Sequence, residues 1–301
     1  MLITTLAIVI FWTVQASAVL VFFVPFTWAL VALWAGSHFL RAIGLTLTFH
    51  RYFAHRAFQM NRAARFFWTL VGTAAMQKGP LWWAGHHVNH HRFSDRDGDP
   101  HSPSISGVYY AHIGWFLNDA RHDRLAASNP VLRDFSKAWE IAFLDRWFFL
   151  PPLLLAVAMY LLGGLPWLVW GFCLPTVTLA HATFAINTVN HMVGTRRFDT
   201  IDGSRNNVVT ALFAVGEGWH NNHHRYQRAA RNGFYWWEFD PTWYVIRLMA
   251  VVGLTWDLNG VPQRIYEEAR GTKARRAVSS VVSIVDAGPL GLEFADDPEA
   301  V

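Results

Sequence analysis

From Met1 to Leu40 the chain carries no charged residue, and a second uncharged run extends from Trp147 to Thr195. A bilayer crossing takes about 20 apolar residues, so each run is long enough to cross twice. Each is also interrupted by turn formers: Pro25 and Thr27 in the first, Gly163-Gly164-Leu165-Pro166 in the second. The pattern predicts two transmembrane hairpins, about 3–49 and 147–191, the second made of helices near 147–162 and 166–191. The N-terminal stretch is too long for a secretory signal peptide and lacks its basic start and small-residue cleavage site.

Two hairpins return the chain to its starting side. The outer turns hold no lysine or arginine, so the basic residues share one side, which the positive-inside rule makes cytoplasmic. The expected fold is an all-α integral membrane protein, with four transmembrane helices capped by a cytosolic helical domain from 50–146 and 192–261. Residues 1–261 form one domain in this reading. The segment 262–301 turns polar, small and charged, and reads as a disordered tail without a site. Within the cap, the stretch from Arg65 to Met76 and the aromatic group Trp236, Trp237, Trp243 and Tyr244 suit a membrane interface.

Composition narrows the chemistry. Only 15% of residues are charged and 53% are hydrophobic, which argues against a soluble protein. A single cysteine, Cys173, excludes a disulfide framework and a thiolate metal site. No nucleotide-binding glycine loop, nucleophile elbow or internal repeat is found, and no nucleic-acid partner is expected.

What stands out instead is histidine. Nine of the fifteen fall in four short clusters: His50 with His55, His87 with His90 and His91, His191 preceded by Asn187, and His220 with His223 and His224. Neutral imidazole is a common metal ligand, and helical residues at i, i+3 and i+4 share a face, so each HxxHH can aim three nitrogens at one point. Asn187 and His191 share a face for the same reason. His50 and His55 stand about 140° apart on an α-helix and suit two different metals or a helix end. A structural zinc needs four ligands, usually with cysteine among them. Nine histidines suit two ions with four or five nitrogens each. The remaining six, His38, His86, His101, His112, His122 and His181, read as packing or surface residues.

The topology gathers these clusters. The second and fourth helices, about 24 and 26 residues long at about 1.5 Å per residue, outrun a hydrocarbon core of about 30 Å. Their last turns, carrying His50 and His191, project into the cap that holds both HxxHH sets. Thiolate-free histidine sites suit redox-active iron at an O₂-accessible centre, and the membrane setting points to a long hydrophobic substrate.

The order HxxxxH, HxxHH, NxxxH, HxxHH resembles the membrane fatty acyl desaturases of the stearoyl-CoA (Δ9) type, particularly their bacterial members. The likeness runs from about Gly44 to Asp257. It includes Gly44-Leu-Thr-Leu-Thr-Phe-His-Arg-Tyr-Phe-Ala-His55, Lys78-Gly-Pro-Leu-Trp-Trp-Ala-Gly-His-His87, Asp99-Pro-His101 and Gly216-Glu-Gly-Trp-His-Asn-Asn-His-His224. The resemblance implies that the nine histidines bind two irons and that Asn187 holds one of them through a water. It implies an acyl tunnel bent by residues like Gln77, Trp83 and Thr183, with Phe184 where the animal enzymes have tryptophan. Gly85-His86 replaces the Arg-Asp pair that the animal acyl-CoA enzymes carry near the thioester, which leaves the carrier open between acyl-CoA and an acyl membrane lipid.

The implied reaction is O₂-dependent insertion of a cis double bond, by position Δ9, in a bacterial inner membrane. Electrons come from a separate donor, such as a ferredoxin or a cytochrome. Asp95, Asp97, Asp99 and Glu217 are candidates to accept the outer N–H of ligand histidines. Arg92, Arg121, Arg124, Arg196, Arg197, Arg225 and Arg228 make the cytosolic face basic, suited to anionic lipid headgroups or an acidic electron carrier. Two alternatives remain: a diiron fatty acyl or alkyl hydroxylase or epoxidase, and a metal transporter. The transporter would place its ligands inside the spans.

Overall fold

The structure, a computed structural model, describes residues 2–117 and 129–273, with side chains from residue 8 onward. Arg121, His122, Arg124 and the chain beyond 273 lie outside the described residues. The described chain is mostly helical, and its one sheet is a two-stranded clasp in which Gln59–Met60 pairs antiparallel with Thr255–Trp256.

The N-terminal run forms α1 (Leu2–Ser17) and a 3-10 turn, Ala18–Phe23, followed by α2 (Trp28–Leu45). Thr27 caps α2, its hydroxyl accepting from the Leu30 amide at 3.2 Å, so the predicted turn is where the new helix starts. The helix does not close at His50. It continues as a π-helix over Thr46–Ala54, giving an apolar stretch of 27 residues, Trp28–Ala54.

The second run forms α5 (Leu150–Leu168), a π-helical turn Val169–Cys173, and α6 (Leu174–Met192). Helical geometry breaks at Gly163 (φ −150°, ψ 20°) and Gly164 (φ 63°, ψ −153°), the latter in a region that glycine enters at little cost. A Cβ on Gly171 would stand 2.6 Å from Met159 Sδ. Along one straight helix these residues would be about 18 Å apart, so the chain doubles back at the predicted glycine pair. Two stretches, Trp28–Ala54 and Leu150–Met192, are thus long and apolar enough to cross a membrane, and Ile8–Phe23 is a shorter apolar helix. Phe22, Leu154, Leu161 and Leu162 are largely exposed on them, as suits an apolar solvent.

Between the runs lie α3 (Arg62–Thr73) and α4 (Pro80–Phe93). α3 packs backbone to backbone on α2, where a Cβ on Gly44 would meet the Gly72 nitrogen at 2.7 Å. It leaves Phe66 and Phe67 exposed, while Arg62 and Arg65 pair with buried Glu140. After α6 the chain carries two short helices, Val208–Phe213 and α7 (His220–Arg225), then α8 (Pro241–Val251). Residues 263–273, expected in the disordered tail, are helical instead. Ile265 and Ala269 repeat at helical spacing and pack with Phe198, Ala229 and Phe234, and Arg225 pairs with Glu268.

Candidate metal centre

α4 carries the first HxxHH. Proline at its first position and Asp145, whose Oδ1 accepts from the Leu81 and Trp82 amides at 2.8 and 3.1 Å, fix its N-terminus. The second HxxHH forms α7, too short to hold itself. The two asparagines between its histidines anchor it: Asn221 Oδ1 accepts from the Arg197 and Phe198 amides, and Asn222 donates to Glu238 and to the Asn232 carbonyl. His50 and His55 come from the π-helical end of the α2 segment, and His191 from the last turn of α6.

All nine histidines converge, but in a different grouping from the expected one. His50, His55, His87, His91 and His223 form one buried group, and His90, His191, His220 and His224 form another. Neither HxxHH serves a single point. The i+3 histidine of each set stands about 100° from the i+4 histidine on an α-helix, and each set sends its i and i+4 imidazoles to one group and its i+3 imidazole to the other. His50 and His55 do meet, with ring centroids 4.8 Å apart. In a π-helix the bond closes from i to i+5, and the His55 amide donates to the His50 carbonyl at 3.2 Å. The expected 140° separation holds only for an α-helix.

Carboxylates hold the outer faces of the rings. His50 Nδ1 lies 2.5 Å from Glu217, His90 Nδ1 2.9 Å from Asp99, His191 Nδ1 2.7 Å from Asp95 and His224 Nδ1 2.9 Å from Asp202. Asp97 is exposed and takes no such place. Asp202 was not among the sequence candidates, because it stands 22 residues from its partner on a loop with no motif. Arg51 locks Glu217 from behind, donating to it at 2.9 Å and to Asp240 at 2.9 Å.

An Nδ1–H given to a carboxylate leaves Nε2 as a bare lone pair. In the larger group, where His50 alone meets a carboxylate, the Nε2 atoms face one another, with separations of 3.0 Å for His50–His223, 2.9 Å for His223–His91, 2.9 Å for His91–His87 and 2.8 Å for His87–His55. In the smaller group His191 and His220 Nε2 are 3.1 Å apart, and the buried Nε2 atoms of His90 and His224 have no partner. Ring nitrogens converging in this way can take a cation between them. Nitrogens bound at about 2.05 Å stand about 2.9 Å apart at right angles and about 3.3 Å apart in a tetrahedron. The larger group's spacings are close to the right-angled case, and both groups are able to bind metal.

Burial drives the pKa values of His55, His87, His91, His220 and His223 well below the ordinary imidazole range, and that of His224 to about 4 despite Asp202. Neutral imidazole is the form that ligates. His90 goes the other way: burial lowers it, but the charge and hydrogen bond of Asp99, with the charges of Asp95 and Asp202, together outweigh burial. Burial opposes ionisation of Asp95, but the His191 hydrogen bond holds it at about 2, and Asp99 and Asp202 are lowered further by His90 and His224.

A small chamber adjoins the larger group, lined by Gln77, Trp83, Thr183, Phe184 and Asn187 with His86, His87, His101 and Trp115. It brings together every residue expected at the tunnel bend. Gln77 Nε2 donates to Thr183 Oγ1 at 2.6 Å, Trp83 stacks on His87, and Phe184 is buried against Trp115 and Phe116. Asn187 contributes to the chamber wall. His86 and His101, read from sequence as packing residues, line the chamber as well, while His38 is a packing residue between Thr178 and the Phe213 carbonyl.

Apolar helices long enough to cross a membrane and a buried polyhistidine centre able to bind metal are the features of a membrane metalloprotein. A family model of fatty acid desaturases matches residues 26–256, and the chain belongs to that family. It is 37% identical to acyl-CoA 5-desaturase AL21 of Anemone leveillei over 83% of this chain and 78% of the relative. It is 38% identical to sn-1 stearoyl-lipid 9-desaturase of Anabaena variabilis over 77% and 85%. With Delta-9 acyl-lipid desaturase 1 of Arabidopsis thaliana the identity is 33% over 77% and 76%. The chain is a fatty acyl desaturase.

Proposed function

We propose that the two histidine groups hold a pair of iron ions, and that the enzyme uses O₂ to place a cis double bond at Δ9 in a saturated acyl chain. His50, His55, His87, His91 and His223 would hold one ion. His90, His191, His220 and His224 would hold the other, with Asn187 reaching it through a water. The observation that carries this reading is the set of converging Nε2 atoms, with neighbouring separations of 2.8–3.0 Å.

Bound iron supplies activation of O₂ sufficient to take hydrogen from an unreactive methylene. A –CH₂–CH₂– unit, O₂, two electrons and two protons become –CH=CH– and two waters. A separate carrier, a ferredoxin or a cytochrome, brings the electrons. The protein's own work is positional. The four carboxylates would fix the tautomer and ring orientation of His50, His90, His191 and His224, so that their Nε2 atoms face inward as lone pairs. Gln77, Thr183 and Trp83 fix the chamber wall against which the acyl chain bends, and the walls exclude bulk water from the reacting carbons. In this reading the chain crosses the membrane four times, and residues 1–261 form one domain with its metal centre on the cytoplasmic side.

Expression in a host fed deuterated saturated acids of several lengths tests the reaction. The expected product is a cis monoene whose double bond keeps its distance from the carboxyl end. A hydroxy acid would move the reading to a hydroxylase, and a bond position that tracks the methyl end would refute Δ9 selection by the bend.

A further inference from the structure

We propose that Arg41, a buried arginine inside the first bilayer-length stretch, is a positioning residue that sets where Gln77 stands in the chamber, and so which methylene pair of the acyl chain is oxidised. The inference rests on the reading of Gln77 and Thr183 as the bend and adds the group that holds them in place. Arg41 sits on α2, one turn before Gly44, and is 2% exposed. It pairs with no carboxylate among the described residues, and its Nη2 is buried without a hydrogen-bond partner. A cation in an apolar span is costly and marks a functional position by default. Its donors go to three oxygens. Nε donates to the Ser37 carbonyl at 3.1 Å, and Nη1 donates to the Ala74 carbonyl at 3.1 Å and to Thr176 Oγ1 at 2.8 Å. One nitrogen thus ties the end of α3 to the first turn of α6.

From Ala74 the chain leads straight into the chamber. Gln77 is buried, and its neighbours Met76 (φ 62°) and Lys78 (φ 63°) both have left-handed backbone. Residues with a side chain enter that region rarely and keep it only where their surroundings over-determine the backbone. Arg41 holds this turn at its entry, and Asp145 holds its exit by accepting from the Leu81 and Trp82 amides. Between those fixed ends Gln77 Nε2 donates to Thr183 Oγ1 at 2.6 Å. Thr176 and Thr183 stand seven residues apart on α6, about two turns, so they share a face. The turn is therefore clamped to one face of α6 at two points, by Arg41 at Thr176 and by Gln77 at Thr183. Without Arg41 the turn can shift along α6 and carry Gln77 with it. A misplacement of about 1 Å at a reacting centre costs on the order of a hundredfold in rate, so a shift of that size brings a neighbouring methylene pair into competition.

The test expresses the full-length protein in a host without its own desaturase, feeds deuterated stearic acid, and locates the double bonds by mass spectrometry, with iron measured on the same preparations. Arg41→Met keeps an unbranched side chain and removes every donor. Thr176→Val removes one acceptor and no charge, so it reads the clamp even where Arg41→Met fails to fold. The expected result is that the share of neighbouring positional isomers rises about tenfold or more at wild-type iron content. A merely structural role would lower iron and total product together and leave the isomer ratio as it is. An unchanged ratio in Thr176→Val, or in folded Arg41→Met, overturns the inference. Gln77→Leu separates it from the reading on which it rests. Scattered isomers there, beside unchanged ratios in the other two variants, remove the inference and leave the bend standing. An unchanged ratio in Gln77→Leu removes the bend and the inference with it.

Discussion

At the scale of single residues, the centre depends as much on the carboxylates behind the rings as on the rings. Asp202 is the clearest case, since its one contact with the site is the 2.9 Å bond to His224. Asp202→Asn should lower the metal affinity of the four-histidine group about 10–100-fold while the five-histidine group keeps its ion, as read by chelator competition. Equal loss from both groups would mean that Asp202 supports the fold and not one ligand. The histidines also set a pH dependence. Burial lowers the pKa values of six of them in the folded protein, with His224 at about 4, whereas the unfolded chain takes up protons below about 6.5. The unfolded state then binds more protons, so the metal-stripped protein loses stability as pH falls from about 6.5 towards 4. His90, raised by Asp99, opposes this as a single group. Thermal midpoints in detergent should drop on acidification through that window, and a rise would contradict the burial assignments.

At the scale of elements, local geometry decides which chemistry the motifs can do. The turn in the second apolar run was legible because a glycine pair is a strong signal, and Gly163 and Gly164 break the helix where the pattern placed it. The grouping of ligands was not legible. Reading His50 and His55 at α-helical spacing separates them, and only the π-helix Thr46–Ala54 brings them together. That π-helix depends on packing, not on propensity, because every residue in it is buried. The 263–273 helix escaped notice for a similar reason: its apolar stripe is short, and its charged face dominated the composition. The approach of α2 to α3 offers an element-level test. Gly44→Ala places a methyl 2.7 Å from the Gly72 nitrogen, a backbone atom that cannot swing aside. The expected cost is about 1–3 kcal/mol, measured as lowered thermal stability in detergent, with iron content falling because α2 leads directly into the His50 turn. A neutral effect would mean that the two helices separate freely.

At the scale of the whole molecule, two apolar segments long enough to cross a membrane end at one buried centre, which their His50 and His191 help to form. Gln77, Trp83, Thr183 and Phe184, singled out through the family resemblance, line one small chamber. Asp202 was out of reach, because an acidic residue on an unpatterned loop acquires meaning only when tertiary folding brings it to a ring. The division into five and four ligands is the property on which the proposed chemistry rests, and counting metal tests it most directly. Protein purified from iron-replete cells should contain two iron ions per chain in nitrogen-dominated coordination. His91→Ala, which removes a ligand from the five-histidine group, should reduce the count towards one and abolish monoene formation. A single ion in the unaltered protein, or a full pair retained with activity in His91→Ala, would contradict the two-group assignment.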